Sequence, residues 1–487
     1  MAAVKSDRNL FARLYIGCQT RGANLDEFFK HENHAYPPAL SENGQLRFGN
    51  KSELLNCLEG LVTIKSTDSP SVDCMVLDGA AVVQILNTGN SRTFNDYTLN
   101  IFLPYIKSQL KYVQRLDLVW DEYLPDSLKT ATRVKRGVGI RRRVVASAVL
   151  PKQWQDFLRV DDNKRELFAF LSKFVAHNLH DSSKQLIVSY GSDVLSVPKI
   201  GENRLMPCSQ EEADTRMLLH LADAGQQGLK RVMIRTVDTD VVVLAIALRD
   251  QLLVNEVWLA FGVGKNFRYI PVHDIVAKLD PHKCSGLLFF HAFTGCDTVS
   301  SFFGHAKKGA WDAWASFPEV TPAFQALSTE PRTDTISSFL SVIERFVVLL
   351  YDRTSTKDSV NTARKHLFTK RGRQIENLPP TQSALNEHIK RAALQGGYYW
   401  VTALQTQPNL PSPSEWGWTR VNDQKPWEPL WTSIAAVSQC CPELVSCQCK
   451  KGCKRCKCVQ AALTCTALRA NVMVNVEINW HSYYHLL

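Results

Sequence analysis

Apolar and polar positions along this chain repeat one form several times: a short apolar run that closes on an acid. CMVLDGAAVVQIL (74–86) closes on Asp78-Gly79 and resumes as a second apolar stretch. RLDLVWDEYLPDS (115–127) ends its apolar run at Asp121. Between them, SRTFNDYTLNIFLPYIKSQLKYV (91–113) has the spacing of a helix, with a kink tolerated at Pro104. Two strands separated by a helix, each ending on a carboxylate, predict a βαβ unit in a parallel sheet.

The rest of the pattern extends that reading. KSELLNCLEGLV (51–62) has apolar spacing near 3.6 and predicts an amphipathic helix. PKQWQDFLRVDDNKRELFAFLSKFVAHNL (151–179) predicts a long helical region, and QLIVSYG (185–191) a strand. SQEEADTRMLLHLADAGQQG (209–228) opens on a capping serine with acids in its first turn, the signature of a helix start. RVMIRTVDTDVVVLAIA (231–247) is an apolar run, the pair Asp238 and Asp240, then a second apolar run. EVWLAF and RYIPV predict further strands, and DTISSFLSVIERFVVLLYD (334–352) a helix. LLFFHAFTGCDTVSSFFGHAKKGAW (287–311) turns at Gly295-Cys296-Asp297 and reaches a Lys-rich hairpin. The expected class is α/β: a mostly parallel central sheet flanked by helices in three layers, with a helical N-terminal extension and a small Cys-rich tail. The expected divisions are an extension at 1–70 without chemistry of its own, an α/β domain at 71–320 with a basic stretch at about 122–145, and a helical region at 321–404. A Pro/Trp-rich linker (405–439), a Cys-rich tail (440–468) and a divergent C-terminus (469–487) complete the division.

Composition narrows the class. The 487 residues are 45% hydrophobic and 21% charged, as in globular proteins, and no apolar run approaches the ~20 residues that span a bilayer. The first residues, MAAVKSDRNLFARL, lack the apolar core of a secretory signal, so an intracellular location is expected. The net charge of +10 permits nucleic-acid partners. Its distribution matters more: Lys129 to Arg143 holds seven Lys/Arg and no acid. Such a run is commonly a solvated loop, but beside Asp121 it suits steering of phosphates. Eight of the 14 cysteines fall between Cys440 and Cys465, which favours metal ligation over disulfides in an intracellular chain. His220 and His291 read as packed histidines, and Trp311 and Trp314 as core.

Asp78, Asp121, Glu212, Asp214, Asp238, Asp240 and Asp297 all fall at strand ends, at a turn or in a first helical turn. Taken singly, each is as readily an exposed terminus. As a set they can meet outside the carboxyl ends of a parallel sheet, where α/β folds place their sites. Their mutual repulsion calls for cations, and oxygen donors suit Mg²⁺ or Mn²⁺. Two ions about 4 Å apart would serve phosphodiester hydrolysis.

LDGAA, WDEYLPDSLK, EEADTR, DTDVVVL and FTGCDT, in that order over roughly 72–315, resemble the acidic motifs of the flap-endonuclease branch of the PIN-like nucleases. The resemblance implies a two-metal, structure-specific nuclease. Asp78 matches the early acid, Asp121 the acid heading a basic arch, Glu212 and Asp214 the helix-start pair (with Glu211 open for the first role), Asp238 and Asp240 the D-x-D pair, and Asp297 the G-x-D acid. It also implies arch residues at the scissile phosphate, here Lys129 and Arg136, with Arg133 and Lys135 as rivals. Arg141, Arg142 and Arg143 extend the basic surface. FFGHAKKGAW resembles the family's DNA-gripping hairpin through Gly304, Lys307 and Lys308, while His305 and Ala306 depart from its glycine pattern. CQCKKGCKRCKCVQAALTC resembles the tesmin-type CXC domain, which implies zinc on Cys447, Cys449, Cys453, Cys456, Cys458 and Cys465, with Cys440 or Cys441 in addition. Its spacings are shorter than that pattern, and the final cysteines are absent. DNA as partner, no membrane, and a nuclear location are the expectations. Three other functions compete: a non-catalytic nucleic-acid-binding protein with the same fold and zinc tail; a D-x-D phosphatase, whose motif belongs on a first strand; and a ribonuclease-H-like transposase, which needs fewer acids than appear in this sequence.

Overall fold

Seven of the apolar runs pair into a single sheet. They are β1 (Cys74–Asp78), β2 (Arg115–Val119), β3 (Gln185–Tyr190), β4 (Asp193–Val197), β5 (Arg231–Thr236), β6 (Glu256–Phe261) and β7 (Arg268–Pro271). The structure is a computed structural model and describes residues 24–62, 68–124, 126–130, 139–179, 183–199, 204–369 and 375–435. The spatial order is β4-β3-β2-β1-β5-β6-β7. The five central strands are parallel, and β4 and β7 close the edges antiparallel. The class is therefore the expected one: α/β, with a mostly parallel sheet flanked by helices.

The helices that matter to the site are α1 (Ser52–Glu59), α2 (Gly79–Ile85), α3 (Asp161–Asn178), α4 (Ala213–Gln226), α5 (Thr239–Ala247), α6 (Pro281–Phe293), α7 (Lys307–Ser316), α8 (Thr333–Tyr351) and α9 (Gln382–Leu394). The period-two alternation of strands sends neighbouring residues to opposite faces. Val76 and Ile234 join an apolar cluster with Leu54, Met217, Val243, Phe289, Trp314, Phe346 and Leu385. Leu77 and Leu118 join the other, with Val83, Phe94, Phe157, Phe168 and Leu171. Three layers result, and α1 packs into the same cluster as α4 to α9. The apolar run after Asp240 is the helix α5, buried from Thr239 to Ile246 and hydrophobic on all sides because helices surround it. No helix among the described residues is long and apolar enough to cross a membrane.

The kink expected at Pro104 takes the form of a π-helical turn at Thr98–Phe102, directly before the helix Leu103–Leu110 whose first turn contains Pro104. A widened turn removes the demand for the N–H that proline lacks. Thr93 and Asp96 start that stretch with a reciprocal capping box.

Gly79 shows how tightly β1 and α2 are joined. A Cβ there would lie 2.3 Å from Trp120 Cε3. The indole cannot yield easily: it stacks on Phe168 at 4.2 Å, and its Nε1 donates to Ser172 Oγ at 2.8 Å. Gly79→Ala should therefore destabilise the fold by about 1–3 kcal/mol, the range of core overpacking, measured as a lowered urea midpoint. An unchanged midpoint would show that the ring moves freely.

Candidate functional site

The strand order reverses between β1 and β5, and that crevice is where parallel sheets open toward ligands. Asp78 ends β1, and its Oδ1 accepts from Ala81 N–H at 2.9 Å, capping α2. Its Oδ2 accepts from Thr236 Oγ1 at 3.4 Å across to β5. Asp121 follows β2, and its Oδ1 accepts from Ala213 N–H at 2.9 Å, so it satisfies the N-terminus of α4 from another element. Glu212 is the N-cap residue of α4 and Asp214 lies in its first turn. Asp238 caps α5 by accepting from Asp240 N–H at 2.9 Å, with Asp240 in the first turn. Carboxylates at helix starts satisfy orphan N–H groups and face the positive end of the dipole. The same local logic thus sets Asp78, Asp121 and Asp238 at helix starts in one place, with Glu212 and Asp214 carried there by α4 itself.

Asp214, Asp238 and Asp240 each offer a carboxylate oxygen within 4.8 Å of one another. Asp297, in the turn after α6, reaches the same cluster through two lysines. Lys51 Nζ lies 2.6 Å from Asp297 Oδ1, 2.8 Å from Asp240 Oδ2 and 3.8 Å from Asp238 Oδ1. Lys129 Nζ lies 3.0 Å from Glu212 Oε1 and 3.6 Å from Asp297 Oδ2. His291 on α6 gives Nε2 to Asp240 Oδ1 at 2.9 Å, and its ring stacks on Trp400. A cavity lined by Lys129, Glu212, Gln395, Tyr399 and Trp400 opens beside the cluster.

The electrostatics divide the acids into two groups. Burial, reinforced by Asp121 and Asp238, pushes Asp78 up to about 7. Burial and then Asp240 push Asp238 up to about 6. Asp214 is raised well above the usual carboxylate range by burial and by Asp238. Asp240 goes the other way: burial opposes its charge, but Lys51 and His291 outweigh that and hold it below the usual range. Asp297 is also lowered, with burial overcome by Lys129 and Lys51. Both lysines are correspondingly raised; burial works against them and the acids prevail. Among the described residues, Asp78, Asp214 and Asp238 are thus the acids short of positive charge. Oxygen donors of this kind, with Glu212 Oε2 buried and without a hydrogen-bond partner among the described residues, fit a hard divalent cation.

No family model matches this chain, and no curated protein matches it. Among solved structures, the chain is similar to the catalytic core of Rad2 in complex with DNA substrate: 14% identity over 66% of this chain and 92% of that chain, at a TM-score of 0.27.

The seven acids singled out in the sequence come to the same edge of the sheet. One of the basic expectations comes out differently. Lys307, expected to grip DNA from a hairpin, opens α7 and is buried, with Nζ donating to His291 O at 2.6 Å and Thr294 Oγ1 at 2.8 Å. Burial pushes its ammonium down to about 7, so it braces the loop behind His291 and offers nothing to solvent. Lys129, expected at a scissile phosphate, lies in the cleft between Glu212 and Asp297. Gly304 has φ +72, the left-handed turn glycine permits, and Lys308 is exposed beside Asp312. Arg142 and Arg143 are exposed, and Arg141 pairs with Glu166. Arg133, Lys135, Arg136 and all the cysteines from Cys440 onward lie outside the described residues. The sequence reading missed Lys51. Its segment carries no motif, and 189 residues separate it from Asp240.

Proposed function

We propose that this chain is a metal-dependent, structure-specific nuclease that hydrolyses phosphodiesters of nucleic acid, DNA in the first instance. The observation that carries the reading is the convergence of Asp214, Asp238 and Asp240 within 4.8 Å at the crevice between β1 and β5, with Asp78, Asp121, Glu212 and Asp297 around them. The ordered resemblance of the acidic motifs to the flap-endonuclease branch of the PIN-like nucleases supports it. Mg²⁺ or Mn²⁺ is the fitting ion, with zinc proposed for the Cys-rich tail and the nucleus as the site of action.

A divalent ion bound there would supply charge to the phosphoryl oxygens and lower the pKa of a water nucleophile. The chain's own groups do the rest. Asp214 and Asp238 would hold the cation; Asp78 is fixed by Ala81 N–H and Thr236. His291 fixes the rotamer of Asp240. Lys129, released from Glu212 by an incoming phosphate, stays in the cleft as a positive charge facing it. Exposed Arg142 and Arg143 extend the positive surface along which a nucleic-acid backbone would lie.

A second reading, a non-catalytic nucleic-acid-binding protein, is favoured by one observation: Lys51 and Lys129 already neutralise part of the acid cluster. The D-x-D phosphatase loses ground because Asp238 follows the fifth strand of the central sheet in chain order. One experiment separates the first two. Full-length protein is incubated with branched and single-stranded DNA and RNA in Mg²⁺ or Mn²⁺, alongside Asp238→Ala. Cleavage of branched DNA that vanishes on chelation and in Asp238→Ala is the expected result. Binding without cleavage in every metal would establish the second reading instead.

A further inference from the structure

We propose that Lys51 is a resident cation standing in for one of two divalent ions, so that the cleft takes a single divalent ion while the strap that carries it, residues 39–51, is docked. The inference rests on the metal-binding reading above and concerns how many ions the acids have room for.

Three contacts define the position of Nζ. It bridges Asp240 Oδ2 and Asp297 Oδ1 at 2.8 and 2.6 Å, and Asp238 Oδ1 lies at 3.8 Å. One ammonium therefore sits among acids from two separate elements, as a bridging metal ion would. Both oxygens of Asp240 are already engaged, Oδ2 by Lys51 and Oδ1 by Nε2 of the buried His291. Asp297 is engaged through both oxygens, by Lys51 and by Lys129. What remains for an ion is the other side of the cluster, where, among the described residues, Asp78, Asp214 and Asp238 have no cationic partner closer than Lys51's 3.8 Å approach to Asp238.

Lys51 is held there by its chain and does not reach in from a loose surface. Ser301 N–H donates to Arg47 O at 2.8 Å, and Arg47 N–H donates to Ser300 Oγ at 3.4 Å. Phe303 N–H donates to Ala39 O at 2.8 Å, so the strap lies along the loop that follows Asp297. A Cβ on Gly49 would fall 2.9 Å from Ser301 Cβ, a closeness that only glycine allows. Beyond Lys51, α1 is anchored by Glu59, whose Oε2 accepts from Arg268 at 2.9 Å.

Local preference does not account for the residue. Lys51 is the N-cap of α1, where Ser, Thr, Asp or Asn would accept an orphan N–H, and its side chain makes no capping bond. A positive charge at the positive end of a helix is also unfavourable on its own. The acids across the cleft supply the compensation.

The test counts ions. Full-length, zinc-loaded protein is titrated with Mn²⁺, chosen because thiolates prefer zinc. Free Mn²⁺ is followed by EPR, and Asp238→Ala sets the background. Wild type and Lys51→Arg should bind one ion per chain in the cleft, and Lys51→Met two. Two ions in wild type would overturn the inference and leave the metal-binding reading standing. No ion in wild type would overturn both. A measurement without any variant guards against misfolding: native protein is acylated with and without saturating Mn²⁺ and mapped by mass spectrometry. Lys51 should stay protected in both; labelling that appears only with Mn²⁺ would mean the ion evicts it, and the inference falls.

Discussion

Asp117→Ala should lower the stability of the protein by about 3–5 kcal/mol, the cost of breaking a fully buried ion pair from one side. Asp117 lies on β2 with no exposed surface. Its Oδ1 and Oδ2 accept from Arg115 Nε and Nη2, both at 2.7 Å, and Oδ2 also receives His220 Nδ1 at 2.7 Å. Arg115 Nη1 goes on to Asp223 at 2.6 Å, which ties β2 to α4. Alanine would leave the guanidinium with one carboxylate in place of two, and the His220 ring without any acceptor for Nδ1. Its Nε2 already lacks a partner among the described residues. Since α4 carries Glu212 and Asp214, loosening this network also loosens the site. Urea unfolding at pH 7 measures the loss, and Asp117→Asn, which keeps the shape without the charge, should fall between the two. A loss under 1 kcal/mol would mean that water reaches Arg115 and takes over.

What could be read in the sequence follows from how local each cause is. Strand ends and helix starts are local: an apolar run of five or six residues closing on an acid shows in the order of residues. That is why Asp78, Asp121, Asp214 and Asp238 stood out before their distances were known. Pairings between distant segments carry no such mark. Lys51 is one lysine in an amphipathic helix start, and only the docking of residues 47–51 on the loop at 300–303 brings it to the acids. Lys307 failed in the opposite sense. A Lys-Lys pair after glycine suggests a solvated hairpin, yet one of the two turns inward to close the end of α6. His291 was expected to be a packed histidine, and it is buried; its bond to Asp240 adds a role that burial alone does not reveal.

This division has an energetic consequence that Asp78→Asn exposes, with opposite signs for stability and activity. In protein stripped of divalent ions, the variant should be the more stable at pH 8, by on the order of 2–4 kcal/mol. The Asp78 carboxyl is pushed up to about 7 by burial and by Asp121, against an unfolded value of ~3.9. Between about pH 4 and pH 7 the folded state therefore keeps a proton that the unfolded chain has released. The contribution of this group to stability falls as pH rises through that window, and the whole penalty is present above it. Three units correspond to about 4 kcal/mol, an upper figure that relaxation of the cleft reduces. Asparagine removes the charge and can still accept from Ala81 N–H, so the cap of α2 survives. The stabilisation should be small at pH 5 and largest at pH 8; an equal gain at both would show that charge is not its cause. The same change removes an anionic oxygen from the metal-facing side of the cleft. Cleavage should then drop by about a thousandfold, the scale of the several kcal/mol a metal centre contributes to a transition state. A variant that is steadier without metal and inactive with it is what a cleft of uncompensated acids, kept for a cation, should give.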